Sequence, residues 1–155
     1  MSKKLKINEL EAGRIVRYYA TAYTEMCAMS KILLDLIEPF NLLSNDEIFF
    51  ENEKILGIYT KWMLFNMNTP LIDDLNMIMV GDKKYTSETE LRKFKIDINE
   101  LPTSLEESIM NFFNKVNAVI EETEAVEASK TEALKNVKNI YFLVDKLNEI
   151  LENIL

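Results

Sequence analysis

Histidine is absent from this chain and cysteine occurs once, as Cys27. Without histidine there is no ordinary neutral-pH base, no Ser-His or Cys-His nucleophile pair and no Glu-x-x-His metal pattern. One cysteine builds neither an intrachain disulfide nor a zinc or iron–sulfur site. The three glycines, Gly13, Gly57 and Gly81, are isolated, so no glycine-rich phosphate loop exists. With only three prolines besides, the chain lacks the turn residues of sandwiches and barrels. No uncharged run approaches the roughly 20 residues that span a bilayer. The basic start Met1-Ser2-Lys3-Lys4-Leu5-Lys6 is not followed by an apolar signal core. These absences lead us to expect no cofactor, no catalytic or metal residues, no membrane association and a reducing cytoplasm, bacterial or virus-infected.

What is present favours helix. The chain has 155 residues, 48 % of them hydrophobic, enough for one domain with a real core. Its net charge of −8 repels phosphate backbones, which argues against nucleic acid and leaves a basic protein partner open. Asn8 with Glu11 reads as a capping box that opens a first helix. Val16, Tyr19, Ala20, Tyr23, Met26, Cys27, Ser30, Leu33, Leu34 and Ile37 follow at helical spacing. Pro39 is expected to end that helix near residue 37. Ser44 with Glu47 is a second start, leading into Ile48, Ile55, Ile58, Tyr59, Trp62 and Met63. Thr69-Pro70 is a third, for a short helix ending near Gly81.

Residues 82–102 are the least regular. Phe94–Ile98 alternates with period two, and Lys83–Thr86 could pair with it as a β-hairpin-like arm. A helical turn capped by Ser87 with Glu90 is the competing reading. After Pro102, Thr103 caps the last region. One heptad column there runs Ile109, Val116, Thr123, Lys130, Val137, Val144, Leu151. The other runs Phe112, Val119, Val126, Ala133, Ile140, Leu147, Ile154, with Tyr141 flanking. The stripe is wider than a two-stranded zipper needs and suits a bundle of several helices.

Glu121, Glu122, Glu124 and Glu127 crowd the middle of this region. A continuous helix over 104–155 would be about 78 Å long, against a domain only about 40 Å across. Either it breaks near 121–130 into a helical hairpin, or it projects as a coiled-coil-like helix and buries its far end on another chain. Nothing in the stretch breaks a helix, so the second reading leads and predicts a homodimer or higher oligomer.

The expected fold is an all-α helical bundle in a single domain, with long N- and C-terminal helices and a small irregular or β-hairpin-like arm near 82–102. The expected function is non-enzymatic: an acidic protein that binds and modulates another protein, such as a phage or mobile-element inhibitor of a host enzyme or defence system. The candidate interface residues are Val137, Ile140, Tyr141, Val144, Leu147, Leu151 and Ile154, the acidic run Glu121, Glu122, Glu124 and Glu127, and Trp62 as an aromatic anchor, although the segment Trp62, Met63, Phe65, Met67, Met77 and Met79 reads first as core filling. A structural subunit acting through homo-oligomerisation is the first alternative. The second is a magnesium-dependent nucleotide pyrophosphohydrolase using Glu121, Glu124 and Asp145. Asp73 and Asp74 read as first-turn acids that offset a helix dipole. Lys83, Lys84, Arg92, Lys93 and Lys95 form a basic cluster interrupted by acids, as an ordinary mixed-charge surface does.

Overall fold

A computed structural model describes residues 3–155 apart from 69, 101 and 122, with side chains undescribed at 64–68, 102–104 and 123. Among the described residues the chain is all-α except for one small sheet. Helix α1 (Glu9–Phe40) and helix α6 (Thr123–Ile154) are 32 residues each, so each spans about 48 Å. Between them lie α2 (Asp46–Asn68), α3 (Pro70–Met79), α4 (Glu88–Glu100) and α5 (Pro102–Asn117). Strands β1 (Lys4–Lys6) and β2 (Tyr85–Ser87) pair antiparallel, with Leu5 opposite Thr86.

Four helices make the bundle. Tyr19 of α1 meets Trp62 of α2, and Cys27 meets Tyr59, so the two helices run in opposite directions. Lys115, at the end of α5, lies beside Glu47 at the start of α2, and Lys61 toward the end of α2 lies beside Glu100, the last residue of α4 just before α5, so α5 runs antiparallel to α2. The turn before α6 lies against the end of α1, around Phe40 and Val119. At mid-helix, Asn136 and Asn139 both donate to Glu25. Helix α6 therefore runs back along α1. The result is an up-down-up-down bundle with α1, α2, α5 and α6 in cyclic order. The segment α3–β2–α4 is inserted between α2 and α5 at the end where β1 lies.

The α1 face that enters the core is Ala12, Ile15, Tyr19, Ala22, Met26, Met29, Leu33 and Leu36, a strict three–four alternation. It lies one residue round from the expected stripe. Tyr19, Met26, Leu33 and Ile37 are buried as expected, while Ala20 and Leu34 face solvent. On α6 the matching seam is Val126, Ala133, Val137, Ile140, Val144, Leu147 and Leu151.

Local signals set the ends of the elements. Asn8 and Glu11 form the expected capping box, at 2.7 and 3.1 Å. Helix α1 includes Pro39 in its last turn and closes at Asn41, in the left-handed conformation. A 3-10 turn at Leu42–Ser44 then moves the start of α2 on by one residue. Asn45, not Ser44, is its cap: Asn45 Oδ1 accepts from the Glu47 and Ile48 amides. The third cap, Thr69, lies outside the described residues, as do the side chain of Thr103 and Glu122. Helix α3 ends in a Schellman motif. Asp82 N–H donates to Met77 O, Gly81 N–H donates to Ile78 O, and Gly81 carries φ +86°.

Beyond the shifted stripe, the later end of α1 and the Asn45 cap, two larger expectations are corrected. Phe94–Ile98 is helix, not strand, because Leu91, Phe94 and Ile98 enter the core at helical spacing while Ile96 stays exposed. Ser87 caps this helix through the Glu90 amide, and β2 pairs with the N-terminus instead. The region 104–155 is a helical hairpin, not a projecting helix. Chain reversal at 118–121 puts Ile120 and Val126 into the same core and leaves Val119 exposed. With α6 folded onto α1, its far end packs on the chain's own core, and the length argument for a homodimer lapses.

Candidate partner-binding groove

The α5–α6 hairpin leaves an open groove of about 660 Å³ along its outer side. Leu134, Val137 and Tyr141 form its apolar floor, with Glu106, Thr131, Lys135 and Lys138 around them. The α6 contributors follow from helical spacing: 131, 134, 138 and 141 form a stripe beside the buried seam. Tyr141 is fixed at the α5 end, its hydroxyl accepting from the Glu106 amide at 3.1 Å. Burial raises the Tyr141 phenol above its ordinary range; the Glu106 hydrogen bond pulls it down and the Glu106 charge raises it again. Thr131 is occupied locally, donating to Glu127 O at 2.9 Å. The arrangement offers a greasy floor with two exposed ammonium groups on the α6 side and a carboxylate from α5.

The expected interface residues scatter. Val137, Ile140, Val144, Leu147 and Leu151 are buried in the core, so the chain's own helices cover what was read as a partner stripe. Val137 also reaches the groove floor, with half-buried Tyr141 beside it. Ile154 is half-buried against the core at the far end. Glu121, Glu124 and Glu127 are exposed around the turn and first turns of α6. Trp62 is no surface anchor: it is 1 % exposed. Its ring stacks on Tyr19 at 5.2 Å, and Phe94 meets the Tyr19 ring edge-on at 5.8 Å.

The carboxylates of the metal reading are also kept apart. Glu124 and Asp145 sit on the same helix, 21 positions and so about 31 Å from one another. One ion cannot bridge them. Among the described residues no three His, Cys, Asp or Glu side chains converge on a common point. Asp74 has a structural role, pairing with Lys83 and accepting from Thr86 Oγ1, and so braces α3 to β2. Of the basic cluster, Lys83 pairs with Asp74, Arg92 with Glu88 one turn back, and Lys95 with Glu152 of α6.

Sequence reasoning passed over the outer face of α2. Phe49, Phe50 and Leu56 are 46 %, 61 % and 40 % exposed, and the Lys54 ammonium lies 4.5 Å from the Phe50 ring centre. The available signal was an apolar excess on the side opposite Ile48, Ile55 and Trp62. Smaller cavities lie at the two ends of the bundle, one of about 250 Å³ around Phe40 and Val119, another of about 480 Å³ beside Lys6, Lys83 and Lys84. Among the described residues, no helix is long and apolar enough to cross a membrane.

No protein-family model matches this chain, and neither a curated protein nor a solved structure matches it.

Proposed function

We propose that this chain is a non-enzymatic binding module that holds an amphipathic helical segment of another protein in the α5–α6 groove. The observation that carries the reading is the floor of Leu134, Val137 and Tyr141 between Lys135 and Lys138 on one side and Glu106 on the other. A helix laid in such a groove anchors apolar side chains at three–four spacing. The flanking charges then select it. Acidic residues on the segment meet the two lysines, and a basic residue meets Glu106. The chain's overall charge of −8 favours a partner that is basic outside the bound segment. Sequestering a partner's helix is also a direct way to modulate that partner.

Charge reversal tests this. Lys135→Glu with Lys138→Glu leaves the core untouched and inverts one side of the groove. The double variant is expected to lose at least tenfold in recovery of a stoichiometric partner from lysate of the source organism or its host. Ile96→Glu, on exposed α4 surface, keeps full recovery. Equal recovery by both variants contradicts the reading.

A further inference from the structure

The outer face of α6, opposite its buried seam, carries charges in a self-complementary order. Successive residues of a helix advance by about 100°, so Glu124, Glu127, Thr131, Lys135 and Lys138 all lie within about 40° of one direction. All five are exposed. The two acids stand three residues apart, and so do the two lysines that follow them. Among the described residues none of these four charges enters an ion pair, whereas Lys54, Lys61, Lys83, Lys95, Lys115 and Lys146 each have one. The two lysines are also the cations of the groove.

We propose that the groove is regulated by a second copy of the chain, which masks it by pairing α6 against α6 in antiparallel orientation. The inference rests on the groove being a partner site. A two-fold axis at Thr131 brings Glu124 of each copy level with Lys138 of the other, and Glu127 level with Lys135. All four charges of each copy then face opposite charges, whereas a parallel pair sets acid on acid and lysine on lysine. The small side chains of Ala128 and Thr131 stand at the crossing and let the helices approach. In the same register Phe142, 60 % exposed, comes level with position 120 of the second copy, in the turn where Val119 is 50 % exposed. Such a contact is isologous and closes at two chains. It is built largely from surface charges, so it is weak and is screened by salt. The lysines that hold the second copy are the ones that select a foreign segment, so self-pairing and partner binding exclude one another.

The test is sedimentation velocity of the full chain from low micromolar to submillimolar concentration at low salt. The wild type is expected to pass reversibly from monomer to dimer. The double variants Glu124→Lys/Glu127→Lys and Lys135→Glu/Lys138→Glu, with helical circular dichroism spectra unchanged, each associate at least tenfold more weakly. Mixed in equal amounts they recover association, because four lysines on one chain then face four glutamates on the other. A wild type that stays monomeric throughout overturns the proposal, as does dimerisation indifferent to both variants. Weakening without recovery on mixing overturns the antiparallel register. Partner recovery from lysate tests the masking. Glu124→Lys/Glu127→Lys keeps the groove lysines and is expected to recover at least as much partner as the wild type; a loss as deep as that of the lysine variant overturns masking. The groove reading fails separately, when the lysine variant keeps its partner.

Discussion

Replacing Tyr19 by Phe removes one oxygen from the junction of α1, α2 and α4. The ring contacts with Trp62 and Phe94 remain. What is lost is the hydrogen bond that the Tyr19 hydroxyl donates to the Trp62 carbonyl at 2.6 Å. At neutral pH this costs about 1 kcal/mol, and the melting temperature falls by roughly 2–4 °C for a chain of this length. The effect reverses in alkali. Burial, and after it the neighbouring Tyr23, push the Tyr19 phenol well above its ordinary value of 10.0. Below that value the proton is bound in both folded and unfolded chains, and its contribution is fully present. Above it the unfolded chain releases a proton that the fold retains. Wild-type stability then falls by up to about 1.4 kcal/mol per pH unit from this residue until the folded pKa is passed. Tyr59 and Tyr141 are also raised, but they are common to both proteins and cancel. Guanidinium unfolding should therefore find wild type ahead by about 1 kcal/mol at neutral pH and level with Tyr19→Phe, or behind it, near pH 11. A difference that stays constant over that range refutes the buried, proton-retaining hydroxyl.

Four further substitutions bear on local structure. Gly57→Ala, in open space on a helix, should raise stability by about 0.5–1 kcal/mol in thermal melts. Gly81→Ala should lower it by about 1 kcal/mol, because φ is +86° and the new Cβ would stand 3.2 Å from Glu9 Oε1. Asn45→Ala removes both side-chain acceptor contacts at the start of α2 and should cost about 1 kcal/mol, whereas Ser44→Ala costs less; chemical denaturation of the two variants side by side checks the order.

The legible parts of this chain were those written in local chemistry. The Asn8–Glu11 box, the glycine stop at Gly81 and the apolar periodicity of the C-terminal region each depend on neighbours within a turn or two. The reversal at 118–121 does not. No Gly or Pro marks it, and Ala118, Val119 and Ile120 are turned back by bonds to Lys115 and Val116. The reason for that turn lies in the distant surface of α1, against which α6 must pack. Phe94–Ile98 was ambiguous because a short apolar alternation also fits helical spacing, and only burial of Leu91, Phe94 and Ile98 decides it. Trp62 reads as core or as anchor from sequence alone, and the core reading is decided by Tyr19, on which its ring stacks, 43 positions away. The groove was half legible. Its α6 wall follows from the stripe beside the seam, but its other wall exists only once α5 folds back. The exposed phenylalanines of α2 stood in the sequence, yet reading for one core stripe left them out.

The groove is tested most directly by photocrosslinking in living cells of the source organism or its host. A photoreactive residue is placed in turn at Lys135 and Lys138 in the groove and at Ile96 on α4. Both groove positions are expected to crosslink to the same helical segment of one foreign protein, and Ile96 is not. Crosslinks absent from the groove, or equally frequent at Ile96, would refute partner binding there.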